Sequence, residues 1–268
     1  MTGDWDALAP RWERGRELLW RSTRPISEWL VSRLDPRPGQ TILELAAGTG
    51  ETGFLAASAL EPEGRLITSD REPAMVEASS RRAGELGLTN AEFRVLDANR
   101  LELADAFVDG VLSRFGYILR GEPPRALPEI RRVLRDGGRL AFAVWAARER
   151  NPWMTVPAGV LVERGRLSPP SEAENRLSER RNPESIRGLL ADAGFGEPEI
   201  EEFEVTYRFA DAEELWFFVS ELRGPVALAL EQLPESEREA IRLEIEDRAP
   251  RADNGYELGG TSLNVVCS

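Results

Sequence analysis

The sequence predicts an α/β protein: a doubly wound, mostly parallel sheet with helices on both faces. Three observations carry that expectation. Short apolar runs alternate with helical patterns between residues 36 and 146, and a glycine-rich turn joins the first run to its helix. Acidic residues then stand at or near the ends of the first three runs, where a sheet of this kind opens its binding crevice.

Taken in order, residues 5 to 34 place Trp5, Leu8, Trp12, Leu18, Leu19, Trp20, Ile26, Trp29, Leu30 and Leu34 at near-helical spacing, so one or two amphipathic helices precede the sheet. Pro36 and Pro38 end that pattern. The apolar run from Thr41 is a buried strand, and Glu51 to Leu60 continue as a helix. Arg65 to Ser69 form a strand, Pro73 to Leu86 a helix, and Ala91 to Leu96 and Phe107 to Ser113 two further strands. The helix Pro124 to Arg135 is expected to stop at Asp136-Gly137-Gly138, a turn that tolerates positive φ, before the strand Arg139 to Trp145. Residues 147 to 184, rich in Arg, Glu, Pro and Ser, read as an inserted, partly helical cap, with a floppy linker equally compatible for Ser168 to Arg181. Helix Pro183 to Ala193 closes at Gly194, and Glu199 to Phe209 alternates in strand fashion. Acidic helices over Ala212 to Glu221 and Glu235 to Asp247 lead to a last strand at Ser262 to Cys267, which suits an antiparallel pair at the sheet edge. The organisation expected is a helical segment 1–35, a nucleoside-binding α/β core 36–146, a cap 147–184, and completion of the core over 185–268.

Composition removes several chemistries. There is no histidine and no lysine, so every basic residue is arginine. A histidine general base, a histidine metal site and a Schiff-base lysine are excluded. Cys267 is the single cysteine, which rules out internal disulfides, iron–sulfur clusters and cysteine-rich zinc or arsenic sites, and no metal is expected. A net charge of −13 repels nucleic acid at long range. No apolar run reaches membrane-spanning length, and the simplest expectation is a cytoplasmic protein without a membrane partner.

The turn itself is ambiguous. Gly48, Gly50 and Gly53 match G-x-G-x-x-G, and Asp70 follows Gly50 by 20 positions, as a dinucleotide site would have it. Glu44 lies four residues before Gly48, where a carboxylate can accept hydrogen bonds from the turn or face a cation and would repel a pyrophosphate. Asp70 is placed to accept hydrogen bonds from a ribose diol whatever the cofactor. Asp97 can receive an adenine amino group, and Ala98 can offer its amide; three carboxylates suit a ligand bearing a sulfonium and an amine better than one bearing two phosphates. An ordinary strand-turn-helix without ligand is the bland alternative.

Glu44-Leu-Ala46-Ala-Gly48-Thr-Gly50 resembles the first motif of the class I methyltransferases that use S-adenosylmethionine, with Ala46 in place of the first glycine. Thr68-Ser-Asp70-Arg71-Glu-Pro-Ala-Met75 resembles the second motif and Leu96-Asp97-Ala98 the third. Val108 to Gly116, including Ser113 and Arg114, is similar to the fourth-strand segment that ends near the sulfonium. The run from Glu129 to Arg139, with Phe142 to Ala146 and Asn151-Pro-Trp153, resembles the small-molecule subgroup related to the ubiquinone/menaquinone biosynthesis methyltransferases. The resemblance implies a seven-stranded Rossmann-like sheet and in-line methyl transfer from S-adenosylmethionine to oxygen, nitrogen or carbon of a small molecule. It also implies that Arg71 and Met75 flank adenine and that Trp12 lies over the donor. Trp20, Phe115, Trp145 and Trp153 are candidates to line an acceptor pocket, each also readable as core packing. Tyr117 is the candidate base for an acceptor that must lose a proton, and an aromatic packed under the cap otherwise. An NAD(P)-dependent oxidoreductase and a catalytically inert nucleoside-binding protein are the alternatives. A homodimer is open.

Overall fold

The computed structural model describes residues 5–116, 118, 119 and 124–268, with side chains from Ala9 onward. Its elements are α1 (Trp5–Leu34), β1 (Thr41–Glu44), α2 (Glu51–Ala57), β2 (Arg65–Asp70), α3 (Pro73–Leu86), β3 (Ala91–Val95), β4 (Val108–Arg114), α4 (Ala126–Val133), β5 (Leu134–Trp145), α5 (Pro152–Glu163), α6 (Glu172–Glu179), α7 (Pro183–Asp192), β6 (Glu199–Phe209), α8 (Ala212–Phe217), α9 (Pro225–Glu231), α10 (Glu235–Arg248), β7 (Arg251–Ala252) and β8 (Gly255–Cys267). The chain divides into two compact units. One comprises Met1–Ser22, Trp145–Arg180 and Glu204–Thr261, the other Thr23–Val144, Arg181–Phe203 and Ser262–Ser268.

The strand order is β3-β2-β1-β4-β5-β8-β6, with β7 paired to β8. The pairs β1 with β2, β1 with β4, β2 with β3 and β4 with β5 are parallel. The order reverses between β1 and β4, so the carboxyl ends of these strands flank a topological switch point. β1 has a neighbour on either edge and is buried along its whole length, as a strand covered on both faces is, so its sequence is mostly apolar. Ile42, Leu43, Leu66, Ile67, Val111, Leu112, Leu140, Ala141 and Phe142 form the sheet's fully buried centre.

The N-terminal segment is one helix of 30 residues, in keeping with the expectation of one or two, and it contains Pro10 and Pro25, although an interior proline forfeits a backbone hydrogen bond. The structure departs from the sequence expectations at four places. Helix α4 stops at Val133, before the predicted Asp136-Gly137-Gly138 turn. That turn is an excursion within β5: Leu134 pairs with Val108 and Arg139 with Gly110, and Gly137 sits at φ 74 between them. β8 begins at Gly255 rather than Ser262, and the short helix α9 was not anticipated. The predicted helix from Ala212 continues past Phe217 as a π-helical turn, Phe218–Leu222.

Candidate functional site

Register places the acidic residues together. Glu44 ends β1 opposite Thr68 and Leu112, Asp70 ends β2 opposite Val95, and Asp97 follows the end of β3 by two residues. All three lie on one rim, at neighbouring strand ends.

The turn after β1 is fixed by both flanking strands. Leu45 N donates to Leu112 O at 2.8 Å and Ala47 N to Ser69 O at 3.0 Å. Ser69 Oγ donates to Glu44 O at 2.7 Å, and Ser113 Oγ to Leu45 O at 3.1 Å. The bend requires left-handed backbone at Ala46 (φ 52), Gly48 (φ 56) and Gly50 (φ 90). Ala46, standing where the resemblance expects glycine, holds that strained conformation with a methyl group.

Asp70 is partly buried and anchors the turn: Oδ2 accepts from Gly48 N at 3.0 Å and Oδ1 from Glu72 N at 3.1 Å. Burial raises its pKa above the ordinary aspartate value, against the pull of those amides. Asp97 is exposed, and its Oδ1 accepts from the backbone and side-chain amides of Asn99 at 2.9 and 2.8 Å. Arg71 is exposed and pairs with Glu72 Oε1 at 2.7 Å. Met75 is buried on the first turn of α3, and Ala98 is half-buried.

Glu44 behaves differently from its neighbours. It is 2% exposed, Oε1 accepts from Gly53 N at 2.8 Å, and Oε2 has no hydrogen-bond partner among the described residues. Its pKa is pushed up to about 8, first by burial, with the Gly53 amide and Arg114 opposing and Glu51 and Asp70 reinforcing. A Cβ on Gly53 would stand 2.3 Å from Glu44 Oε2. The third glycine of the fingerprint is therefore required by a carboxyl packed at the start of α2. That carboxyl consumes an amide donor which a dinucleotide phosphate would use.

At the tip of β4, Ser113 is fully buried and Arg114 half-buried. Arg114 Nη1 donates to Thr23 Oγ1, and its guanidinium lies 5.9 Å from the Phe115 ring centroid. Phe115 N donates to Ala143 O at 2.8 Å, with Phe115 itself at φ 61. Sequence reading missed Thr23, together with Ser27 and Thr52, whose hydroxyls share a buried 2.9 Å hydrogen bond between α1 and α2. No local pattern marks such a pair. Tyr117 lies outside the described residues.

The other unit holds Trp12 and Trp20, half-buried on α1, and Trp145 and Trp153, each 9% exposed. Trp145 and Trp153 lie with ring centroids 4.7 Å apart, Trp153 and Tyr207 5.5 Å, and Tyr207 and Phe218 4.9 Å. The Arg223 guanidinium stacks 4.3 Å from Trp153. Asn151, fully buried, donates to Ala146 O and Ala147 O at 3.1 and 3.0 Å and accepts from Trp153 Nε1 and Thr261 N at 3.1 Å each. Among the described residues no three or more Cys, Asp or Glu side chains group as metal ligands, and no helix is long and apolar enough to cross a membrane.

A family described as a methyltransferase domain matches residues 36–163. The ubiquinone/menaquinone biosynthesis C-methyltransferase UbiE of Acidiphilium cryptum is 33% identical over 208 residues, covering 73% of this chain and 79% of that protein. The arsenite methyltransferase of Halobacterium salinarum is 36% identical over 106 residues, 40% of this chain, and the match spans only 27% of that relative's length. The solved structure of the YcgJ protein from Bacillus subtilis superposes with a TM-score of 0.61 at 16% identity, over 91% of this chain and 97% of that one, a likeness of fold.

Proposed function

Because the chain belongs to the class I S-adenosylmethionine-dependent methyltransferases of the UbiE-like type, we propose that it methylates a small-molecule acceptor at the rim formed by the ends of β1 to β4. The observation that carries the reading is the placement of Glu44, Asp70 and Asp97 on one rim, with the Glu44 carboxyl seated at the start of α2 where a phosphate-binding site needs open amides. That arrangement disfavours a dinucleotide and with it the oxidoreductase alternative.

The residues fit the donor. A carboxylate offers about four lone-pair positions; the Gly48 and Glu72 amides occupy one each on Asp70, which leaves capacity for a ribose diol. Asp97 and Ala98 stand next on the rim for the adenine amino group, with Met75 and Arg71 as its flanks. Glu44, Ala46, Gly48, Gly50, Ser113 and Arg114, at the ends of β1 and β4 and in the turn after β1, are the residues that would hold the methionine part. When bound, S-adenosylmethionine supplies an activated methyl group, which an acceptor lone pair attacks in line, and neutral S-adenosylhomocysteine remains. The chain's contribution is orientation and exclusion of water; holding the partners at near-attack geometry is worth about 7–11 kcal/mol. Where the acceptor must lose a proton, Tyr117 is the proposed base. Phe115 is the proposed acceptor-side aromatic at this rim; Trp12, Trp20, Trp145 and Trp153 belong to the other unit, where Trp145 and Trp153 are packed with Tyr207.

The C-methyl chemistry in the name of the UbiE relative supports carbon of an aromatic acceptor as the first class to examine. Arsenic is the less fitting acceptor. The chain's single thiol, Cys267, is buried with its pKa pushed up to about 12, and soft arsenic needs accessible thiolates. Calorimetric titration with S-adenosylhomocysteine and with NADH tests the donor assignment, and binding of NADH alone overturns it. Transfer of an isotopically labelled methyl group to a panel of small phenols and quinols, read by mass spectrometry, tests the acceptor class; transfer only to macromolecules overturns it.

A further inference from the structure

Resting on the donor assignment above, we propose that Glu44 is a specificity-determining residue, which sets the preference for the charged donor over the neutral product by giving its proton to solvent only when the donor occupies the turn. Three features of the geometry carry this. The carboxyl is sealed between β1 and α2, with only the Gly53 amide donating to it and Oε2 buried without a hydrogen-bond partner among the described residues. An anion so poorly solvated is costly, whereas a carboxylic acid in the same place is not. Oε2 is pressed against Gly53, where even a methyl group would stand at 2.3 Å, so no water can enter on that side to solvate it.

The charged groups around Glu44 decide the sign. Arg114 from β4 favours its anion, while Glu51 from α2 and Asp70 from β2 oppose it. Arg114 is itself engaged by Thr23 and stacked on Phe115, so two carboxylates face Glu44 against one committed cation. The raised pKa agrees with this balance: near neutrality Glu44 is mainly protonated in the free protein. S-Adenosylmethionine carries a sulfonium, an ammonium and a carboxylate, for a net charge of about +1 in its fully ionised form, and S-adenosylhomocysteine is neutral overall. The positive ligand stabilises the Glu44 anion and the neutral one does not. One carboxylic O–H is broken, the proton passes to buffer, and the site keeps its total charge.

Full-length protein titrated calorimetrically with S-adenosylmethionine and S-adenosylhomocysteine, in two buffers of different ionisation enthalpy between about pH 6 and pH 9, reads the released proton directly. The expected result is release approaching one proton for the methionine form and close to none for the homocysteine form. Below the titration of Glu44, the ratio of the two affinities should climb by up to about tenfold per pH unit. In Glu44→Gln the additional release and the climb should vanish while S-adenosylhomocysteine still binds. The ligands' own amino groups titrate against both proteins, so the difference between wild type and Glu44→Gln is the reading. Equal release by the two ligands, or equal release by wild type and variant, overturns the proposal. If Glu44→Gln does not fold, infrared difference spectra of wild type decide: loss of a buried carboxylic-acid band with the methionine form only supports the proposal, and its persistence overturns it. Failure of both ligands to bind wild type would instead sink the donor assignment itself.

Discussion

The rim around the β1 turn and the aromatic cluster around Asn151 handle polar groups in opposite ways. Asn151 has two donor hydrogens and two acceptor positions, and the structure fills all four, one of them with Trp153 Nε1, whose ring packs against those of Trp145, Tyr207 and Phe218. Gly260 belongs to that packing, since a Cβ there would stand 2.8 Å from Asn151 Oδ1 and closer still to the Trp153 ring. At the rim, Glu44 keeps a buried oxygen unpartnered among the described residues, Asp70 keeps accepting capacity, and Ala46, Gly48, Gly50 and Phe115 hold left-handed backbone. A saturated network specifies one packing; unmet polar capacity and strain mark the place held ready for a ligand. Mutations in the two regions should therefore separate stability from binding.

The largest effect is expected in the saturated cluster. Trp153→Ala removes a buried ring and leaves Asn151 Oδ1 short of a donor, so denaturant unfolding should show a loss of about 3–5 kcal/mol. Affinity of the folded variant for S-adenosylhomocysteine should hold. A variant of wild-type stability with lost methyl transfer would instead make Trp153 a binding residue, and the contrast would fail.

Next comes the pH dependence of the rim. Glu44 is raised from 4.5 to about 8, so the stability it contributes as a neutral group is whole below pH 4.5 and is lost as pH rises through 8. Asp70 shifts in the same direction, which makes the comparison of wild type with Glu44→Gln the useful one. The ligand-free wild type should lose a few kcal/mol relative to the variant across that window. Parallel unfolding curves for the two proteins would show that burial of Glu44 carries no such cost.

Asp70→Ala should weaken S-adenosylhomocysteine binding by about 1.5–3 kcal/mol, the usual size of hydrogen bonds to a charged group. The loss includes the freed Gly48 and Glu72 amides, so the turn loosens together with the ribose contact. Unchanged affinity by calorimetry would remove Asp70 from the site.

Much of this was legible before any coordinates. The alternation of periods announced the parallel sheet because a strand covered on both faces is mostly apolar, and β1 to β4 fell where the runs lie, while β5 starts at Leu134 rather than Arg139. Asp70 and Asp97 could be placed because each follows a strand by a fixed offset. Other features needed the fold. Gly53 fitted a dinucleotide fingerprint by spacing, yet its necessity comes from the Glu44 carboxyl nine residues earlier, a contact no spacing rule encodes. Arg114 with Thr23, and Ser27 with Thr52, pair across 91 and 25 residues. The single helix α1 carries Pro10 and Pro25 in its interior, where packing outweighs propensity over a long helix, so the choice between one helix and two also needed the fold. Gly259-Gly260 hid the first half of β8 for a related reason: the second of these glycines makes room for Trp153.

The smallest expected effect tests the strain side of the contrast. Ala46 holds φ 52, a region where an L-residue costs about 1–2 kcal/mol and glycine little. Its methyl is exposed, so Ala46→Gly surrenders scant burial, while the added freedom of the unfolded chain takes back about 0.4–1 kcal/mol. The net should be a stabilisation of less than about 1 kcal/mol, with affinity for S-adenosylhomocysteine unchanged. Gly116 supplies the counter-test, because a Cβ there would lie 2.9 Å from the Ala46 Cβ and 2.5 Å from Ser113 Oγ. Gly116→Ala alone should destabilise, and Ala46→Gly should recover only the part due to the methyl clash, since Ser113 stays in place. Full recovery in the double variant would assign the crowding to Ala46 alone. No recovery would mean that the β4 side of the rim, through Ser113, sets the shape of the turn independently of residue 46.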